Sequence, residues 1–398
     1  MDNREIFISI MLGGETLPVG KLWGYNRKGR TSVTFEYSKE WLANPVRFAL
    51  DPALQLSEGL HYSGKTLFGA FGDSAPDRWG RMLMRRANTS GRTLSEMDYL
   101  LGVNDETRQG ALRFSETPRG PYLASSEGKS IPPLVKLPQL LSAAENVMSD
   151  SESADDLKLL LAPGSSLGGA RPKASVVDKD ASLAIAKFPR KDDEIDIVRW
   201  EAAALTLAKS AGINTSQWRL ETILEKHVLI IKRFDRENKN RIPFLSAMSM
   251  LGAADNDNMI HSYIEIANAL IRYGALPDKD LEELWRRIVF GIMISNTDDH
   301  LRNHGFLYTG TGWVLSPVYD LNPSIDRANF ATSIDNTGTE NTIELALKAA
   351  PNFRLPRQHA EIILDQIKHA VFDWRNTAKS LGISEHSIEK MKPAFNCN

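Results

Sequence analysis

Between Ser115 and Pro133 the chain reads SETPRGPYLASSEGKSIPP, dense in Pro, Gly and Ser and without apolar periodicity. Such a stretch continues neither a helix nor a strand, so it predicts a linker or exposed loop and divides the chain into more than one folding region. The 398 residues agree with this, being enough for two to three domains at roughly 150 residues each. The expected regions are 1–114, a linker at 115–135, then 136–260 and 261–398.

Patterning differs on the two sides. Ile6, Ile8 and Ile10, then Val33, Phe35 and Tyr37, alternate as strands do, and helical spacing follows around Pro76–Arg86 and Leu94–Leu101. After the linker a helix is expected near Leu137–Met148, with strands at Lys173–Val177 and Leu183–Phe188. Next come a helix over Asp196–Ser210 and a buried strand at His227–Phe234. The remainder is mainly helical, including Asp278–Ser295, broken by one hairpin at GFLYTGTGWVLSP. The class is α+β.

Charge and cysteine content exclude several functions. Forty-eight basic residues against fifty acidic leave a net charge of −2, unsuited to nucleic-acid binding by bulk charge. The single cysteine, Cys397, excludes a disulfide framework and a cysteine-rich zinc site and suits a reducing cytoplasm. No signal peptide or membrane-spanning run is legible. Two motifs mislead. GLHYSGKT (Gly59–Thr66) matches a phosphate-binding P-loop, but LQLSE before it makes a poor strand, and Gly69, Gly72 and Pro76 deny it a helix. His300 and His304 lack the glutamate and the helix that a zinc pair requires.

Four other segments together resemble a phosphoryl-transfer site. In SSLGGARPK (Ser165–Lys173), Gly168 and Gly169 let backbone amides approach phosphate, and Arg171 and Lys173 add positive charge. Lys187 ends an apolar strand, where a lysine can reach nucleotide phosphates or merely snorkel at an edge. NTDDHLRN (Asn296–Asn303) carries Asp298 and Asn303 at the D-x-x-x-x-N spacing of a kinase catalytic loop. Its bland alternative is a polar loop that caps turns, a role that fits Asp299 better than Asp298. Asp320, in LSPVYDLNPS, follows by one hairpin, in the order of the kinase Mg²⁺-binding aspartate.

Taken with FGDSAPDRWG, GVNDETRQGALRF, IIKRFDR and VYDLNP, these segments resemble the HipA family of bacterial serine/threonine kinase toxins, over about residues 1–390. The resemblance implies a bilobal, protein-kinase-like core with an N-terminal mixed α/β subdomain and a mainly helical C-terminal lobe. It implies ATP and Mg²⁺ as cofactors. By position, Gly168, Gly169, Ala170, Arg171 and Lys173 would form the phosphate loop, Lys187 would bind phosphate, and Lys232, Arg233 and Phe234 would be the adenine hinge. Asp298 would be the catalytic aspartate, His300 and Tyr319 nucleotide contacts, and Asn303 and Asp320 the Mg²⁺ ligands. Ser166 stands where the family autophosphorylates, with Ser165 beside it. The implied partners are a protein substrate, such as an aminoacyl-tRNA synthetase, and a small helix-turn-helix antitoxin that supplies any DNA contact; no membrane is involved.

The chain departs from the family pattern at RIPFLSAMSM after the hinge and at Arg171-Pro172. Two rival readings stay open: a nucleotide-binding pseudokinase acting as corepressor, and a small-molecule kinase on a related scaffold.

Overall fold

The computed structural model describes residues 3–27, 30–124, 131–161, 169–238, 240–254, 259–325, 329–335, 338 and 340–395. It divides into two units: Met1–Lys191 with Ile223–Glu225 and Ile230–Leu245, and Asp192–Thr222 with Lys226–Leu229 and Ser246–Asn398.

The alternating apolar residues at the start of the chain build an antiparallel sheet in the first unit. Its strands are β1 (Asn3–Leu12), β2 (Glu15–Arg27), β3 (Arg30–Tyr37), β4 (Leu60–Tyr62) and β5 (Leu112–Ser115), ordered β4-β3-β2-β1-β5. Gly13 and Gly14, both at positive φ, make the two-residue turn between the paired Leu12 and Glu15, a conformation that residues with a Cβ resist. Ile6, Ile8, Ile10, Leu22 and Phe35 are buried, each contributing about 1.5–3 kcal/mol of hydrophobic stabilisation. Phe71 packs against both Phe35 and Phe114 with ring centroids 5.4 and 6.2 Å apart.

Helices Arg78–Ala87 and Glu96–Gly102 begin at side-chain caps, Asp77 accepting from the Gly80 amide and Ser95 forming a capping box with Asp98. The linker-like stretch is in part folded. Ser115 bridges to Tyr122, and the Leu123 amide donates to the Phe114 carbonyl at 2.8 Å, so residues 115–124 turn back along β5. Residues 125–130 lie outside the described set, and the first unit continues to Lys191. Helix Leu137–Met148 matches its expected span, and the strands β6 (Lys173–Val177) and β7 (Leu183–Lys187) form the expected hairpin.

In the second unit Asp196 caps helix Ile197–Ser210 by accepting the Arg199 amide. Its apolar face (Val198, Ala202, Leu205, Ala208) is buried as the spacing predicts. Helix Pro277–Met293 starts with proline in its first turn and buries Leu281, Leu284, Trp285, Ile288 and Ile292. The hairpin Gly305–Tyr308 and Trp313–Leu315 follows it, with Phe306 opposite Leu315. Among the described residues no helix is long and apolar enough to cross a membrane.

Candidate active site

In the first unit the sheet register sets two lysines side by side. Lys173 and Lys187 are cross-strand partners at the open end of the β6–β7 hairpin, so their side chains share a face. The Phe188 amide closes this end on the Pro172 carbonyl at 3.0 Å. Lys173 is committed elsewhere: its Nζ lies 2.8 Å from Asp77 Oδ2, with both side chains 5% exposed. Asp77 therefore caps a helix and neutralises the lysine at once. Lys187 is half-buried at the strand end, and Gly169, Ala170 and Arg171 precede β6 in an open bend. Ser165, Ser166 and Gly168 lie outside the described residues.

The expected hinge occupies the end of strand Lys226–Lys232 and the two residues beyond it. Lys232 donates to Asp180 at 3.1 Å at the surface. The Arg233 guanidinium is fully buried against Asp235 and bonds to the Thr107 carbonyl, and its amide donates to the Leu183 carbonyl at 3.0 Å, so this residue can offer a ligand only its backbone carbonyl. Burial pushes the Asp235 carboxyl up, but Arg233 and Arg236 outweigh it and hold the group well below the usual carboxylate range.

In the second unit helix Pro277–Met293 ends in a turn that places Ser295 at φ +51° and returns the Asn296 amide to the Gly291 carbonyl at 2.8 Å. The polar loop that follows is held from inside. Asp299 is buried, accepting the Tyr263 hydroxyl at 2.5 Å, with His304 Nε2 at 3.1 Å. Its carbonyl accepts the Thr332 hydroxyl at 2.6 Å. Burial raises the Asp299 carboxyl, yet His304 and the Tyr263 hydroxyl hold it below its ordinary value. Asp298, in contrast, is exposed. Its carbonyl takes the His300 amide at 2.9 Å and the Asn303 side-chain amide at 3.1 Å, leaving the carboxylate at the surface of a braced turn.

Asn303 is buried on the 3₁₀ turn Leu301–Asn303. Because its NH₂ donates to Asp298, its oxygen is the atom left for a ligand. His300 is half-buried, and its Nδ1 has no hydrogen-bond partner among the described residues. Asp320 sits at φ +59°, a left-handed conformation that costs a non-glycine residue about 1–3 kcal/mol and that surrounding contacts must hold. Around it, Tyr319 Oη donates to the Arg302 carbonyl at 2.6 Å, and the Asn322 amide to Asn296 Oδ1 at 3.1 Å. The structure thus ties Asp298, His300, Asn303, Tyr319 and Asp320 into one network of the second unit. His304 belongs to the interior of that network rather than to a histidine pair.

Sequence reasoning missed Tyr263, Asp77 and Asp235 as supports, and placed Asp299 as a turn cap when its carboxylate binds side chains. The Asp298-Asp299 doublet was the available signal: on a turn, neighbouring residues point different ways. GLHYSGKT forms the exposed edge strand β4 and a bend, with Lys65 exposed and a four-residue helix starting only at Gly69.

The family model for the HipA-like C-terminal domain matches residues 165–374, and that for the HipA N-terminal domain matches residues 9–115. A curated "Putative kinase" of Haemophilus influenzae is 24% identical over 180 residues, covering 39% of this chain and 52% of its own length. "Toxin YjjJ" of Escherichia coli is 24% identical over 285 residues, 67% of this chain and 61% of its own. The chain thus spans about half the length of the curated relatives it matches. The fold is similar to that of HipA from Shewanella oneidensis, solved with HipB and operator DNA. The TM-score is 0.69 at 16% identity, over 97% of this chain and 94% of that one.

Proposed function

The chain belongs to the HipA family, and on that premise we propose that it is an ATP- and Mg²⁺-dependent serine/threonine protein kinase, the toxin of a toxin–antitoxin pair. The observation that carries the proposal is the braced loop of the second unit, which presents the exposed Asp298 carboxylate while Asn303 is bonded to the same residue's carbonyl.

In this reading the γ-phosphoryl of ATP passes to a serine or threonine hydroxyl of a cytoplasmic protein. The hydroxyl oxygen forms the new P–O bond, the bond to the β-phosphate oxygen breaks and ADP leaves, and Asp298 orients the hydroxyl and receives its proton. Lys187 would attract phosphate oxygens, with Gly168–Lys173 as the flanking loop, and the backbone of Lys232–Phe234 would meet the adenine. His300, whose Nδ1 has no hydrogen-bond partner among the described residues, and Tyr319 are assigned to the nucleotide side. The Asn303 amide oxygen and the Asp320 carboxylate are hard oxygen donors of the kind Mg²⁺ takes, and they are the residues that would hold it. Bound there, the ion supplies neutralisation of phosphate charge. A bilobal arrangement of the core is part of the proposal.

A translation factor such as an aminoacyl-tRNA synthetase is the proposed substrate. The HipA of Shewanella oneidensis was solved with HipB and operator DNA, which supports an antitoxin partner and DNA contact through it. Incubation of the purified protein with Mg·ATP and cell extract tests the reading. Phosphoserine or phosphothreonine should form with wild type and not with Asp298→Asn; equal labelling by both would overturn it.

A further inference from the structure

We infer that the loop Asn104–Gly110 positions the adenine hinge, with Asp235 as the coupling residue; this rests on the assignment of Lys232–Phe234 as that hinge. The loop belongs to GVNDETRQGALRF, a segment for which the proposed chemistry has no use. Its own fold is local: Asn104 Oδ1 accepts the amides of Glu106 and Thr107 at 2.9 and 3.2 Å, curling the chain so that several carbonyls point one way.

Those carbonyls receive one arginine of the hinge and one just past it. Arg236 donates to Glu106 at 3.2 Å, to Arg108 at 2.5 Å and to Gly110 at 3.1 Å. Arg233 bonds to Thr107 and reaches Arg108 at 3.4 Å. Asp235 completes the link from the other side. One carboxylate takes Arg233 through both oxygens, at 2.8 and 2.5 Å, Arg236 at 2.7 Å, and the Gly110 amide at 2.8 Å. Gly110 sits at φ +74°, and a Cβ there would meet the Phe244 amide nitrogen at 3.2 Å, so the loop carries glycine at the point of closest approach. Arg241, a few residues past the hinge, adds a bond to Asp105 Oδ2 at 2.9 Å.

Asp235 is 1% exposed and Arg233 2% exposed, so the bonds between them are shielded from water and fix position rather than decorate a surface. A peptide hinge reads a base through its own amide and carbonyl, which must stand within hydrogen-bond range. Displacing the backbone of residues 232–234 by a few tenths of an ångström weakens that reading and leaves phosphate contacts alone. Asn104, Asp105 and Asp235 are therefore positioning residues for nucleobase recognition.

The test is calorimetric titration of the full chain with Mg·ATP and, separately, Mg·tripolyphosphate, which lacks the base. Asp235→Asn should weaken ATP about tenfold, the value of about one hydrogen bond, and leave tripolyphosphate unchanged. Because that variant strands two buried arginines, Asn104→Ala is the milder arm, with the same selective loss. Asn104→Asp, which keeps the turn-forming oxygen, should restore ATP affinity. A merely structural role would lower melting temperature and shift both ligands together or neither. An unchanged ratio of ATP to tripolyphosphate affinity in a folded Asn104→Ala overturns the inference. A wild-type protein that binds tripolyphosphate as well as ATP overturns the hinge assignment itself.

Discussion

Asp280→Asn should stabilise the protein strongly at pH 8 and only weakly at pH 4.5. Asp280 lies in the first turn of helix Pro277–Met293, 5% exposed, with Oδ2 accepting the Leu315 amide at 3.2 Å. Burial pushes its pKa from 3.8 up to about 6, against the pull of the Leu315 amide and Arg287. The helix N-terminus favours a carboxylate by about 0.3–1 kcal/mol, which is too little to offset the lost hydration. Between the two pKa values the folded protein holds a proton that the unfolded chain has released. Stability therefore falls as pH rises through that window, and the full cost is present above about pH 7. A rise from 3.8 to about 6 corresponds to about 3 kcal/mol.

Asparagine matches the shape, keeps an oxygen for the Leu315 amide and carries no charge. Urea unfolding of both proteins from pH 4.5 to pH 8, followed by tryptophan fluorescence, measures the difference; Trp285 is buried in the same helix. The advantage of the variant should grow from about 1 kcal/mol to about 3 kcal/mol across the range. An advantage independent of pH, or a variant less stable than wild type at pH 8, would refute the reasoning.

Three further outcomes concern the site. Asp298→Asn should lower phosphoryl transfer by about 10²–10⁴-fold while calorimetry still shows nucleotide binding and circular dichroism shows the native fold. Asn303→Ala and Asp320→Ala should each weaken nucleotide binding measured with Mg²⁺, whereas Lys65→Ala should not, as read by titration with Mg·ATP. Ser166 should gain phosphate on incubation with Mg·ATP in wild type but not in Asp298→Asn, as read by mass spectrometry. Its added charge of about −1.5 to −2 should depress later ATP binding by repelling the nucleotide phosphates.

The local pattern was legible in the sequence because local forces write it. Alternation placed β1 and β3, and apolar spacing placed helices Leu137–Met148 and Ile197–Ser210 within a residue of their ends. The order of the glycine-rich loop, Lys187, Asp298, Asn303 and Asp320 pointed to one chemistry, since each motif lies within a few residues of chain. What only the tertiary structure decided is which charged side chains are spent on holding the molecule together. Lys173 reads as a phosphate-loop cation until Asp77, 96 positions earlier, is found against it. Arg233 reads as a hinge side chain until it meets the Thr107 carbonyl, 126 positions away. Spacing favours Asp298 over Asp299, but only Tyr263, 36 residues before Asp299, shows that Asp299 is the interior one. Spacing along the chain encodes periodicity and caps, because those arise within a turn or two. The partner of a buried charge is set by which segments pack together, so its role becomes legible only when the distant residue that satisfies it is in place.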